Sequence, residues 1–189
     1  MTTKLKILTV ADWEAMPHGD GNRYEIIEGE LFVSRSPGLT HERVLIKLIL
    51  LIGNFLETSP VGEPVANMGV ILSDLSAVIP DLIVFLNEQS DTIISNDRVK
   101  GPPALVIEIL SPGPRNIQRD RLTKLRLYDK HGVPEYWIVD PPNTTLEKYV
   151  RQGTSLVLSE RLENEDILST TTLPGFSCKV SEIFRPVGK

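Results

Sequence analysis

Two carboxylates stand within strongly apolar segments of the sequence, and burial there would require a compensating partner. Glu108 is the first polar residue of the segment ALVIEIL at residues 104–110, and Asp81 opens the segment DLIVFL directly after Pro80. A carboxylate buried without a partner costs several kcal/mol even after relaxation. If the two segments are paired strands, the carboxylates meet at one end of a sheet and could bind a divalent cation such as Mg²⁺. Alternatively, Asp81 caps a turn and Glu108 pairs with an arginine.

A lysine further along the chain could complete such a site. Residues 115–130 are predicted to form a helix, on which Asp120 and Lys124 share one face because they are four residues apart. The apolar residues predicted to face the core are Ile117, Leu122, Leu125 and Tyr128. Lys124 then lies at the boundary of that face, where its ammonium could orient an attacking water or stabilise developing negative charge. Alternatively, Asp120 and Lys124 form an exposed ion pair of little energetic weight.

Three other residues are weaker candidates. His41 begins the long helix predicted for residues 40–59 and could contact a metal or a substrate, although a capping or solvent-exposed histidine is the favoured interpretation. Glu25 or Glu28, in the segment YEIIEGE, could add an acid to a metal cluster or lie on the surface of a hairpin. The sequence lacks the short motifs typical of zinc proteases, zinc fingers, P-loop nucleotidases and serine hydrolases, which argues against these classes.

The charge and the cysteine content limit the function further. The net charge of −5 argues against non-specific coating of nucleic acid, which usually requires a basic excess. A local basic cluster is nevertheless formed by Arg115, Arg119, Arg121, Lys124, Arg126 and Lys130. The single cysteine allows no intrachain disulfide, as is usual in a reducing compartment. Because residues 1–13 lack a secretory signal and the longest apolar run, at residues 44–52, is too short to span a bilayer, we expect a cytoplasmic protein without a membrane segment.

The hydrophobic periodicity predicts an α/β fold with a mixed sheet, in a single domain over residues 1–189. Helices are predicted at residues 10–16, 40–59 and 115–130, with a helical turn in the C-terminal tail. Single strands are predicted at residues 69–72, 82–86, 104–110 and 134–141, with a further possible strand at 64–68. Hairpins are predicted around Glu28-Gly29 and Gln152-Gly153. The polar segment 87–103 is interpreted as an irregular surface excursion.

Six segments in order resemble the Uma-two family of restriction-endonuclease-like proteins. They are RYEIIEGEL, SPGLTHERV, IPDLIVF, ALVIEILSP, DRLTK with its continuation LRLY, and HGVPEYWIVDP. The resemblance runs from about residue 12 to residue 184, and VIEILSP and GVPEYWIVDP are its most specific parts. Because that family belongs to the PD-(D/E)XK nuclease superfamily, the resemblance implies a restriction-endonuclease-like mixed β-sheet core flanked by helices, here with additional β-hairpins.

The resemblance also implies roles for particular residues. Asp81 would be the acidic metal ligand of the "PD" element, and Glu108 would be the second carboxylate. The superfamily lysine is expected at position 110, where this chain has Leu110, and Lys124 on the following helix would replace it. Asp120 would accompany Lys124 and help to position it. Glu25 or Glu28 would supply a further acidic residue from the first element of the core.

These roles predict hydrolysis of DNA phosphodiester bonds that depends on Mg²⁺ or Mn²⁺. Metal held by Asp81 and Glu108 would activate a water, while Lys124 would orient it or support developing charge. The residues predicted to contact flanking DNA phosphates are Arg115, Arg119 and Arg121. A two-fold homodimer is expected. The alternatives are a catalytically inactive nuclease fold that binds nucleic acid or a protein partner, and hydrolysis of another class of phosphoester.

Overall fold

The computed structural model describes residues 6–17 and 19–188, so that residues 1–5 of the N-terminal segment considered above lie outside the described part. Its helices are α1 Val10–Glu14, α2 Leu39–Thr58, α3 Asn87–Ile93, α4 Pro114–Gln118, a π-helical turn Arg119–Lys124, α5 Leu125–Lys130 and α6 Val180–Phe184. The first eight strands are β1 Asn22–Ile27, β2 Glu30–Arg35, β3 Gly62–Ala66, β4 Val70–Ser73, β5 Ser76–Val78, β6 Leu82–Leu86, β7 Ile94–Ser95 and β8 Arg98–Lys100. The others are β9 Leu105–Ile109, β10 Glu135–Asp140, β11 Thr145–Gln152, β12 Ser155–Glu163, β13 Ile167–Ser169 and β14 Ser177–Lys179.

The central sheet is mixed, which confirms the predicted fold class. Its strand order is β12-β11-β10-β9-β6-β3, with β9 and β10 parallel and the other neighbours antiparallel. Parallel neighbours require a crossover connection, and α4, the π-helical turn and α5 provide it between β9 and β10. The helix predicted from the residues after Glu108 is therefore the element that returns across the sheet.

A second mixed sheet, in the order β2-β1-β5-β4-β8-β7, packs over one face of the central sheet. Its β1–β2 hairpin confirms the prediction at Glu28-Gly29, where both residues have positive φ angles, 52° and 82°. Two consecutive positive φ angles are typical of the type I′ turn, whose twist matches that of paired strands.

Apolar cores cover both faces of the central sheet because the side chains of its strands alternate. Leu105, Ile107 and Ile109 of β9 pack in the core formed with α2 and the C-terminal elements. Val106 and Leu110 pack on the opposite face, in the core that α5 and the second sheet cover. Glu108 shares the parity of this second set, so its carboxylate lies on the face between the two sheets.

Part of the sequence interpretation is wrong for residues 87–103. This segment forms α3, β7 and β8 rather than an irregular surface excursion, and β8 joins the second sheet beside β4. Ile93 and Val99 anchor it in the core. Their burial was not visible in the sequence because Val99 stands alone among polar residues and Ile93 is followed only by Ile94, so that neither produces a periodic signal.

The prediction for the helical face at residues 115–130 also needs correction. Ile117 and Leu122, predicted to face the core, are 38% and 47% exposed. Tyr128 is buried as predicted, and Leu125 is half-buried against the same core. The other buried positions of this segment are Asp120, Lys124 and Leu127. The π-helical turn shifts the phase of the helix, and charged residues occupy two positions of its buried face. Lys124 is therefore 1% exposed, near the middle of this face and not at its boundary.

Among the described helices, we find none that combines the length and the apolar character needed to cross a membrane.

Candidate active site

The pairing of β6 with β9 brings the two candidate carboxylates together. Leu82 lies opposite Ile107 in this antiparallel pair, so continuation of the register by one residue places Asp81 beside Glu108 on the same face. Both residues are 2% exposed, and both line a pocket of about 340 Å³ that opens between the two sheets. The convergence expected from the sequence is present.

Asp81 is held by three hydrogen-bond donors. Its Oδ1 accepts from Arg23 Nη1 at 2.8 Å, and its Oδ2 accepts from the backbone N–H of Ile109 at 2.8 Å and lies 3.0 Å from His41 Nε2. Burial acts to raise the pKa of Asp81, but the hydrogen bonds and charges of His41 and Arg23 outweigh it and hold this pKa well below its ordinary value. Asp81 is thus an ionised carboxylate with a defined orientation.

The favoured interpretation of His41 as a capping or solvent-exposed residue is wrong. His41 is buried in the first turn of α2, and the N-cap residue of this helix is Gly38, without a side-chain capping bond. Burial acts to lower the pKa of His41, but its hydrogen bond to Asp81 raises this pKa above its ordinary value. His41 therefore orients Asp81 at the wall of the pocket.

Lys124 connects Glu108 to a carboxylate of the second sheet. Its Nζ lies 2.8 Å from Glu108 Oε1 and 2.8 Å from Glu25 Oε1. Tyr128, one helical turn beyond Lys124, donates to the same Oε1 of Glu108 at 2.7 Å. Burial acts to lower the pKa of Lys124, but the charges of Glu108, Glu25 and Asp120 raise this pKa above its ordinary value. The ammonium is thus charged, buried and held between two carboxylates.

The structure places Glu25 and Glu28, the two candidates for the acidic residue from the first core element, in different surroundings. Glu25, in the middle of β1, is 1% exposed and also accepts from the backbone N–H of Ile79 at 2.8 Å. Glu28 lies in the exposed hairpin turn, where it pairs with Lys130 at 2.6 Å. Only Glu25 joins the cluster around Lys124.

Asp120 is buried beside this cluster rather than in an exposed pair with Lys124. Its Oδ1 accepts from Arg119 Nε at 2.9 Å, and its backbone carbonyl accepts from the hydroxyl of Tyr136 at 3.0 Å. Burial raises the pKa of Asp120, and the charges of Lys124 and Arg119 only partly offset this effect. Asp120 thus stabilises Arg119 at the rim of the pocket.

The three arginines predicted to contact DNA are in different surroundings. Arg119 lines the pocket that contains Asp81 and Glu108. Arg115 is exposed in an adjoining groove between α4 and β2. Arg121 points elsewhere, because its guanidinium pairs with Glu147 and, at 3.0 Å, with Asp140. Only the first two therefore remain near the candidate site.

Within the described residues, no group of three or more histidine, cysteine or acidic side chains is arranged to hold a metal ion. Asp81 and Glu108 nevertheless fit the kind of site in which Mg²⁺ is bound by one or two carboxylates and completed by water and substrate phosphate. Burial, with the nearby charges of Asp81, Asp120 and Glu25, raises the pKa of Glu108 to about 8, although Lys124 acts to lower it. A divalent cation bound beside Glu108 would therefore favour the ionised form of this carboxyl group.

Arg23 and Tyr128 were missed as site residues. Arg23 precedes Glu25 by two residues on β1, so the period-two alternation of a strand could have placed both on one face. Tyr128 follows Lys124 by four residues, and helical spacing could have placed its hydroxyl beside the ammonium. Both signals require Glu25 and Lys124 to be recognised first as buried charges.

Comparison with known proteins agrees with this fold. A model of the Uma2 (Uma-two) family, described as "Putative restriction endonuclease", matches residues 10–181. The crystal structure of a protein from Anabaena variabilis ATCC 29413, described as "a putative nuclease belonging to DUF820", gives a TM-score of 0.75 at 18% identity, over 94% of this chain and 97% of that chain. At this identity the likeness concerns the fold. No curated protein matched the sequence. Because the family model covers well over half of its length, the chain belongs to the Uma2 restriction-endonuclease family.

Proposed function

We propose that this chain is a DNA endonuclease that requires Mg²⁺ or Mn²⁺. The observation that carries the proposal is that Asp81 and Glu108 line one pocket while Lys124 Nζ lies 2.8 Å from Glu108 Oε1. Two carboxylates and a buried ammonium at the end of paired strands form a combination suited to metal-assisted hydrolysis of a phosphodiester. Membership of the Uma2 family supports the same activity.

The residues of the pocket and Lys124 would have different chemical roles. A metal ion held by Asp81 and Glu108 would supply an activated water and neutralise the scissile phosphate. Arg23 and His41 keep Asp81 ionised and oriented. Lys124, fixed between Glu25 and Glu108, would direct its remaining donor capacity toward the attacking water and the developing charge.

In this proposal Lys124 would replace the lysine that the superfamily has at the position of Leu110. Leu110 is 3% exposed and packs in the core between the sheets. Lys124 reaches Glu108 from the crossover helix instead. In this proposal the ammonium comes from a different element and serves the same carboxylate.

Arg115 and Arg119 would contact the DNA backbone on the side of the pocket that faces α4. Their side chains line the pocket or its adjoining groove, and guanidinium groups bind phosphate oxygens in a bidentate manner. Arg121 is left out of this role because Asp140 and Glu147 hold its guanidinium. A two-fold homodimer, which would present two sites to two strands, is also proposed, and light scattering of the purified protein measures it.

The test is cleavage of plasmid, linear duplex and single-stranded DNA with Mg²⁺, with Mn²⁺ and with EDTA. We expect cleavage that requires the metal and is lost in Asp81→Asn and Glu108→Gln, whereas Glu28→Gln, which alters an exposed carboxylate, retains it. Circular dichroism verifies that each variant is folded. Absence of cleavage by folded wild-type protein that still retains DNA would favour an inactive binding protein. Cleavage of nucleotide esters without cleavage of DNA would favour the other phosphoester substrates.

A further inference from the structure

We propose that a second pocket, beside the candidate active site, binds the base of an unpaired nucleotide next to the scissile phosphate. This inference rests on the proposed nuclease function and specifies its substrate. The pocket has a volume of about 340 Å³ and lies between α1, the start of β1 and the turn that follows β3. Its walls include the apolar side chains Trp13, Met16 and Ile79 and the ring of Tyr24.

The two pockets adjoin each other at Arg23. This side chain, together with Ser36 and Pro37, lines both of them. Arg23 Nη1 donates to Asp81 Oδ1 at 2.8 Å, and Arg23 Nη2 donates to Asn67 Oδ1 in the second pocket. A nucleotide whose phosphate is in the active site can therefore place its base in the second pocket, with the guanidinium beneath its sugar-phosphate segment.

Two amides give the second pocket the means to hydrogen-bond a base. Asn67 uses Oδ1 to accept from Arg23, which leaves Nδ2 as a donor. Asn22 uses Nδ2 to donate to Asp20 Oδ2 at 3.1 Å, which leaves Oδ1 as an acceptor. The edge of a base requires a donor and an acceptor, and Asn67 and Asn22 both line this pocket. The backbone N–H of Asn67 also donates to the carbonyl of Asp81 at 3.1 Å, which fixes this pocket relative to the active site.

The volume limits the form of the substrate. A cavity of this size and mixed polarity accommodates one heterocycle, whereas a base pair within a helix cannot enter it. A base reaches such a pocket only from a single strand or after leaving the helical stack. Stacking on apolar and aromatic side chains, with few hydrogen bonds, is the usual way in which unpaired bases are bound. We therefore infer preference for DNA that is unpaired at the cleavage site.

The experiment uses the fluorescence of Trp13. The chain has two tryptophans, and Trp137 is fully buried in the core formed with α2 and the C-terminal elements. Trp137→Phe therefore leaves Trp13 as the reporter. The probes are dAMP, dGMP, dCMP and dTMP, added with EDTA so that no cleavage occurs, and deoxyribose 5-phosphate, which lacks a base. We expect a saturable change in Trp13 fluorescence with at least one nucleotide and none with the sugar phosphate.

A pair of asparagine variants tests the hydrogen bonding. Asn67→Asp removes the proposed donor but keeps an oxygen for Arg23, and Asn96→Asp is the matched control because both asparagines are exposed and have φ angles near 50°. We expect Asn67→Asp to weaken nucleotide binding by roughly fivefold to tenfold, as for the loss of one hydrogen bond, and Asn96→Asp to leave it unchanged. If Trp137→Phe fails to fold, calorimetric titration of the wild-type protein and of Asn67→Asp with the same probes replaces fluorescence.

Equal responses to nucleotides and to sugar phosphate, or equal affinities in the two asparagine variants, would overturn the base pocket. Because the titrations contain EDTA, they do not depend on cleavage. A Trp13 fluorescence change with a nucleotide but not with the sugar phosphate, in a protein that shows no metal-dependent cleavage, would reject only the nuclease proposal. Metal-dependent cleavage without such a fluorescence change would reject only the base pocket.

Discussion

Lys124 is both a candidate catalytic group and a structural one. It contacts Glu25 of the second sheet and Glu108 of the central sheet, each at 2.8 Å, and is 1% exposed. A buried ion pair contributes little relative to a well-packed apolar core, but removal of one partner leaves an uncompensated buried charge. The stability of the fold and, in the proposed function, the chemistry of the pocket would therefore depend on the same ammonium.

We predict that Lys124→Met lowers the free energy of unfolding by about 3–5 kcal/mol, because it leaves the buried Glu25 carboxylate without its cation and Glu108 without a hydrogen-bond donor. Lys130→Met is the matched control, since Lys130 forms an exposed pair with Glu28. Its effect should stay within about 1 kcal/mol. Urea denaturation measures the free energy of unfolding of both variants. Equal stability of the two variants would show that Lys124 is not the compensating charge of the cluster.

Glu108 should make the stability depend on pH. Its pKa is raised to about 8 by burial, whereas the unfolded chain has the ordinary value of 4.5. Below pH 4.5 Glu108 is protonated in both the folded and the unfolded state, and its contribution to the free energy of unfolding is fully present. Between pH 4.5 and about 8 the unfolded state loses its proton first, so the contribution to stability is lost as pH rises.

We therefore predict that the free energy of unfolding of the wild-type protein, relative to Glu108→Gln, falls between pH 5 and pH 8 when EDTA is present. Urea denaturation at several pH values measures this difference. Added Mg²⁺ should reduce the fall, because the metal favours the ionised carboxylate. A difference that is constant or rises over this range would contradict the assignment.

The sequence permitted the candidate residues to be found but not their partners. Asp81 and Glu108 were recognisable because each stands at or within an apolar segment, and Lys124 was found from its helical spacing and given its role by the family resemblance. His41 was misinterpreted because its position in a first helical turn resembles that of a cap. Its buried contact with Asp81 joins residues that are 40 positions apart, and no local pattern reports such a contact.

At the level of elements, the crossover helix shows where periodicity fails. Hydrophobic spacing assumes that buried positions are apolar and that the helix has a uniform phase. Here the buried face contains Asp120 and Lys124, and a π-helical turn interrupts the phase. The long helix α2 keeps a uniform phase, and apart from His41 its buried residues are apolar, among them Val44, Leu45 and Leu48.

The corrected helical phase leads to a prediction about two leucines of this region. Leu122 is 47% exposed, whereas Leu127 is 2% exposed and packs in the core between the sheets. Leu127→Ala should lower the free energy of unfolding by about 2–5 kcal/mol, as is usual for a buried leucine. Leu122→Ala should change it by less than about 1 kcal/mol. Urea denaturation decides between this arrangement and the phase expected from the sequence, in which Leu122 would be the costly position.

At the scale of the whole molecule, charge limits how DNA can be bound. The net charge of −5 opposes the DNA backbone, so attraction must come from a few local cations such as Arg115 and Arg119. The molecule should therefore bind DNA weakly outside the pocket region and show a shallow dependence on salt.

We predict a slope of about −2 when the logarithm of the DNA association constant is plotted against the logarithm of salt concentration, since each phosphate contact contributes about −0.9 on duplex DNA. Asp81→Asn protein and fluorescence anisotropy allow the measurement without cleavage. Arg115→Ala should reduce the magnitude of the slope by about 1, whereas Arg126→Ala, at another exposed arginine of the same crossover connection, should leave it unchanged. A slope steeper than about −5 would indicate a much wider contact surface.

The contacts of Lys124 with Glu25 and Glu108 have a consequence for folding during synthesis at the ribosome. Glu25 is made early, Lys124 is made one hundred residues later, and β10, which pairs with β9, follows Lys124. A nascent chain that ends before these elements contains both carboxylates but not the cation or the sheet that brings them together. The candidate site would thus be assembled only late in translation. For the proposed endonuclease, two separately expressed halves divided between β9 and α4 should each be unable to cleave DNA until they associate.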